Sequence, residues 1–183
     1  MLGVYDFCGH YDWTFEWLRR VGGERLVRDY WDQAIGQDSQ RHAVDLIVSQ
    51  GIEGMVAYWG HTLAEEAAGY HCTATGTVFR IDMHECPSKG FLIRNGLQQY
   101  HDYCDHCLGW IGPLLRRAGF VADHEHNHAG RCWWEIRRAD DSTAPGPPGD
   151  LAGPHDVRLL ADWEQANVID TYRRATAPED KQA

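Results

Sequence analysis

The order of apolar and polar positions changes period several times along the chain. Residues 11–20 (YDWTFEWLRR) set Trp13, Phe15, Trp17 and Leu18 at helical spacing, and Gly22-Gly23 stop that segment. From Glu24 to Ser49, Leu26, Val27, Tyr30, Trp31 and Ala34 recur on one helical face. Ala43, Val44, Leu46, Ile47 and Val48 resume the pattern after a polar patch. This predicts one long helix, or two broken near Gly36. Gly51 to Gly54 reads as a turn and Met55 to Ala68 as a further helix.

From Tyr70 to Glu85 the period becomes two, with Phe79, Ile81 and Met83 on one face and Arg80, Asp82 and His84 on the other. Cys86-Pro87 ends this strand and Ser88 to Gly90 opens a crossover. Residues 97–111 return to helical spacing through Leu97, Tyr100, Cys104, Cys107, Leu108 and Ile111, with Asp102, Asp105 and His106 off the stripe. Gly112-Pro113 interrupts this helix, which restarts with Pro113 in its first turn and stops at Gly119.

Phe120 to His128 and Cys132 to Arg138 then alternate as a hairpin. A three-residue loop with left-handed Gly130 pairs His128 with Cys132, His126 with Trp134 and His124 with Ile136. That register sets Phe120 and Ala122 on the face of Trp134 and Ile136. The stretch 139–155 is a Pro- and Gly-rich linker over the surface, leading to an amphipathic helix at Asp156 to Arg174. The expected fold is a single α+β domain over residues 1–183. N-terminal helices pack on a small antiparallel sheet, and the C-terminal half is a helix followed by a hairpin.

Composition narrows the classes of function. The 183 residues are 43% hydrophobic with eight Trp, enough to bury a core, and the net charge is −10. An acidic chain without a basic patch is not expected to bind nucleic acid. The start (MLGVYDFCGHYDW) lacks the pattern of a signal peptide, and no apolar run reaches membrane-spanning length. A cytoplasmic protein is therefore expected, with a small molecule as its partner and a homodimer left open. In a reducing compartment six cysteines read as thiols or metal ligands.

Chemistry concentrates between Ile81 and Arg138, which hold four of the cysteines and six of the eleven histidines. Cys104 and Cys107 are three apart, within reach of one metal or of each other; the plainer reading is two core thiols. A thioredoxin-like role would require the pair at a helix start, and the spacing puts that start several residues earlier. His124, His126 and His128 share one strand face that Cys132 joins across the hairpin. This donor set suits Zn²⁺, and also Cu or Fe; the plainer reading is a polar strand edge. Cys86 in HECP is a candidate nucleophile or a simple strand-end thiol. His61 with Glu65 and Glu66 could line a pocket as acid/base groups or complete a metal shell; the plainer reading is an i, i+4 surface pair.

CP at 86–87, a helix carrying Cys104 and Cys107, GF at 119–120 and G-x-C-W at 130–133 together resemble the L-2-amino-thiazoline-4-carboxylic acid hydrolase family. The resemblance spans residues 78–138. It implies an α+β relative of the 4-vinyl-reductase-type ligand-binding domains, some of which hold a structural zinc through helix and hairpin cysteines. On that likeness Cys104 or Cys107, His124 and Cys132 match the zinc positions, with His124 standing in for a cysteine and no counterpart of the carboxylate ligand.

The resemblance also implies hydrolysis of a C–N bond in a small cyclic compound. Cys86 or Cys107 would be the nucleophile, or a metal-bound water would attack instead. His126 or His128 would serve as base or ligand, and Glu65 as proton shuttle. The alternative is a zinc-containing module that binds or senses a small ligand. Both readings need the central thiols and the hairpin imidazoles to meet in one cavity.

Overall fold

The computed structural model describes residues 4–151, with side chains from Phe7 onward. The expected C-terminal helix at 156–174 lies outside the described residues. Helix α1 spans Val4–Tyr30 and bends where Gly23 adopts φ 73°. Only glycine takes such a conformation cheaply, so the glycine pair redirects the helix where the sequence suggested a stop. A π-helical segment, Trp31–Ser39, follows directly and ends at Gln40, and α2 runs over Arg41–Gln50. The break therefore falls at Gln40 and not at Gly36. Gly36 instead allows close packing, since a Cβ there would sit 3.3 Å from the Trp110 carbonyl. Gly51 turns the chain at φ 61° into α3, Ile52–Glu65.

The stretch expected as one strand is a hairpin of β1 (Gly69–Ala74) and β2 (Val78–Glu85). Cys86 then caps α4, Pro87–Asn95, a helix that the sequence reading took for a crossover. Pro87 occupies its first turn and Gly96 its left-handed C-terminal position. Helix α5 spans Asp105–Arg117 without interruption, with Pro113 inside it. The final hairpin is β3 (Phe120–His126) and β4 (Cys132–Arg138).

All neighbours in the sheet are antiparallel, in the order β1-β2-β4-β3. Phe79 pairs with Ile136 and Ile81 with Trp134, so one face carries the apolar set onto the helices. Phe15, Val27, Ile47, Met55, Phe79 and Leu114 are fully buried in the resulting core. The other face carries charge. Arg80 donates to Asp82 and Glu135 at 2.8 and 3.0 Å, and Arg137 pairs with Asp123 at 2.6 Å. Part of the Pro/Gly-rich segment lies back over this face, where the Gly146 amide donates to Glu135 at 2.8 Å. This covering leaves Trp133 and Glu135 each 5% exposed.

The closing hairpin differs in register from the expected one. His126 pairs with Cys132, His124 with Trp134 and Ala122 with Ile136, so the loop has two more residues than expected. Asn127 closes it: its amide donates to Arg131 O at 3.1 Å, and its Oδ1 accepts from Ala129 N and Arg131 N at 2.9 and 3.1 Å. A shift of two keeps every side chain on its expected face, because the strand period is two. Among the described residues, no helix is long and apolar enough to cross a membrane.

Candidate active site

Between the apolar sheet face and the helices lies a cavity of about 450 Å³, walled by Trp59, Leu63, Ile81, Trp110, Trp134 and Ile136. Its size and apolar walls are those of a small-molecule pocket. Polar groups reach it from four directions: Cys8 from α1, Glu66 from the end of α3, Cys86 and Ser88 from the start of α4, and Tyr103, His106 and Cys107 from the start of α5. Cys132 adds a fourth thiol from β4. None of the six cysteines is in a disulfide.

The start of α5 determines what faces this space. Cys104 occupies the N-cap position and Cys107 the first turn, so the pair does stand at a helix N-terminus, contrary to the sequence expectation. Burial nevertheless pushes Cys104 up to about 12 and holds Cys107 and Cys132 well above the ordinary thiol value. A redox pair needs a thiolate of lowered pKa, and these thiols are held protonated.

His106, which lies between the two cysteines in sequence, is the imidazole that meets Cys107. Its Nδ1 lies 2.5 Å from the Tyr103 carbonyl and its Nε2 lies 3.7 Å from Cys107 Sγ. A carbonyl only accepts, so Nδ1 carries the proton and the Nε2 lone pair faces the thiol. Desolvation lowers His106 to about 4, so the resting pair is a thiol beside a neutral imidazole. Tyr103 is 1% exposed, its ring 4.6 Å from that of His106, and its hydroxyl shares a 2.6 Å hydrogen bond with Ser88 Oγ. Cys86 Sγ accepts from the Lys89 amide at 3.4 Å, as a side-chain cap of α4.

The hairpin imidazoles go elsewhere. His124 stacks on Trp134 with ring centroids 3.6 Å apart, its Nδ1 lies 2.7 Å from Trp133 O, and its Nε2 lies 3.0 Å from His126 Nδ1. His126 Nε2 meets Asp105 Oδ1 at 2.8 Å. Among the described residues, the donor atoms that gather within 4.8 Å of one another belong to Asp105, His126 and His128. Cys104, Cys107 and Cys132 form no such group with His124, whose two nitrogens are already engaged. The thiol–imidazole zinc set is therefore not assembled, and the imidazoles expected in the cavity lie outside it.

Glu65 also departs from its expected role. It is 65% exposed at its side chain and pairs with His61 at 3.3 Å on the surface. Glu66 lines the cavity instead, its carboxyl raised by burial.

Of the residues singled out from the sequence, Cys86, Cys107, Cys132 and Glu66 line this cavity and Cys104 does not; His106, Tyr103 and Asp105 were not among the candidates. The signal for His106 and Asp105 was present: both lie off the apolar stripe yet within one turn of two thiols. No family model matches the chain, and no match was found among the curated proteins or the solved structures.

Proposed function

We propose that the protein is a thiol-dependent enzyme acting on a small, largely apolar molecule, most simply a hydrolase that opens a C–N bond. Cys107 is the nucleophile and His106 its general base. The observation that carries the reading is the pair itself. Cys107 Sγ and His106 Nε2 are 3.7 Å apart, the base is oriented through Nδ1 by the Tyr103 carbonyl, and both residues line the cavity.

Because burial keeps the thiol protonated, proton transfer accompanies attack and does not precede it. The thiol proton passes to His106 Nε2 as sulfur bonds to the substrate's amide carbonyl carbon. The C–N bond then breaks, and the proton on Nε2 moves to the departing nitrogen. A water deprotonated by His106 hydrolyses the thioester, releases the acid and restores the thiol. Ser88 and Tyr103 supply hydroxyls on the same wall, suited to hold the developing negative charge.

A second reading, a binding module for a small apolar ligand, is favoured by the apolar walls and the protonated thiols. One experiment separates the two. Purified protein is given small aromatic acyl esters and amides, and followed by intact mass and product release. Turnover through an adduct on Cys107, absent in Cys107→Ala and formed at least tenfold more slowly in His106→Asn, supports the enzyme. Stoichiometric binding without any adduct supports the module.

A further inference from the structure

We propose that Asp105, His126 and His128 form a site for one divalent first-row transition-metal ion, which fastens the first turn of α5 to the closing hairpin. Their donor atoms lie within 4.8 Å of one another. Tetrahedral coordination at zinc–ligand distances puts donors about 3.4 Å apart, so no pair of donors needs to close by more than about 1.4 Å. His126 Nε2 and Asp105 Oδ1 already face each other at 2.8 Å. Two imidazoles and one carboxylate are the donors of open zinc and non-haem iron centres, and a poor set for Ca²⁺ or Mg²⁺. His128 is exposed, which leaves the outer coordination positions to water.

Hydrogen-bond bookkeeping is an independent observation pointing to a cation. The Trp133 carbonyl fixes the proton of His124 on Nδ1, so a neutral His124 accepts at Nε2. His126 Nδ1 must then donate to it, at 3.0 Å. That leaves the lone pair of a neutral His126 Nε2 aimed at the Asp105 carboxylate, acceptor against acceptor at 2.8 Å. A positive charge must sit between them, and a metal ion satisfies both groups where a single proton otherwise would. The chain from His126 through His124 to a backbone carbonyl is the supporting arrangement that orients metal-bound histidines. His128 is held in place too: its φ of 58° lies in a loop tied by three hydrogen bonds to Asn127 and by the Cys86 amide donating to Gly130 O.

This site is separate from the thiols, and its test distinguishes the two. Chelator-stripped protein is titrated calorimetrically with Zn²⁺ alone, and in parallel with Co²⁺ followed by absorbance. One equivalent should bind, with a cobalt spectrum lacking any thiolate charge-transfer band. His128→Gly, which tolerates the left-handed backbone, and Asp105→Asn should each weaken binding at least tenfold. His124→Phe keeps the stacking on Trp134 and should weaken binding 10- to 100-fold, the usual effect of losing a supporting partner. Cys107→Ala should bind as the wild type does. Absence of binding, affinity unchanged in His128→Gly, a thiolate band, or loss of the ion in Cys107→Ala would each overturn the assignment.

Discussion

Phe15 links the N-terminal helix to the start of α5, and removing its ring tests that link quantitatively. The side chain is fully buried, and its ring lies 5.6 to 5.9 Å from those of Trp31, Tyr100 and Tyr103 and 5.5 Å from that of His106. Truncating a buried Phe to Ala costs about 3–5 kcal/mol from lost transfer energy and the cavity left behind. Aromatic pairs add roughly 0.5–1.5 kcal/mol each beyond area burial, so the upper part of that range applies here. Phe15→Ala should therefore lose about 4 kcal/mol, or roughly 10 °C of Tm for a chain of this size. Phe15→Leu, which keeps most of the volume, should lose under about 2 kcal/mol.

Urea unfolding with unchanged m-values measures both. The same variant loosens the support of His106 and Tyr103, so alkylation of Cys107 should slow in Phe15→Ala and stay near wild type in Phe15→Leu. A loss below about 1.5 kcal/mol for the alanine variant would mean that α1 is not packed against the start of α5 as described.

Three further outcomes follow from the same packing and charges. Gly109→Ala drives a methyl into the buried Trp31 ring; overpacking of about 1–3 kcal/mol should outweigh the roughly 1 kcal/mol gained in helix propensity, and a net rise in Tm would contradict this. Arg19 and Arg20 hydrogen-bond to Glu16 and hold its carboxyl down at about 2, below its ordinary 4.5. A depressed acid stabilises the fold above the unfolded pKa and loses that contribution as pH falls through the folded one. The stability gap between wild type and Glu16→Gln should accordingly be full at neutral pH and narrow between about pH 5 and pH 2, and a gap constant across that window would refute the ion cluster. Glu65→Gln lies on the exposed pair with His61 and should change stability by under about 0.5 kcal/mol and leave any turnover intact.

Much of the fold was legible in the chain, and the failures share a cause. Alternation over Val78–Glu85 and Cys132–Arg138 gave both central strands with the correct buried faces, because one face of each meets an apolar layer. Helix α4 escaped because it is nine residues long, and Cys86 and Pro87 at its start look like a turn. Thr75-Gly76-Thr77 carries no strong hairpin signature, so β1 and β2 read as one strand. The loop register turned on the side chain of Asn127 bonding two amides, a tertiary detail without periodicity.

For the site, spacing drew attention to Cys86, Cys107 and Cys132, which line the cavity, and also to Cys104, which does not. It could not tell which imidazole joins them, because that depends on where α5 begins. A helix starting at Asp105 points His106 and Cys107 into the cavity and sends Asp105 to the hairpin. The four-residue run Cys104–Cys107 thus serves two sites, and a sequence reading that starts the helix earlier merges them.

The central claim is that His106 activates Cys107 within the cavity. Its most direct measurement is the rate of alkylation of each cysteine by a small apolar maleimide, resolved by peptide mass spectrometry in wild type and His106→Asn. Fast modification at Cys107 that falls at least tenfold in His106→Asn, with the other five thiols unchanged, is the expected result. Equal rates at Cys107 in the two proteins, or prior modification of a thiol outside the cavity, would contradict it.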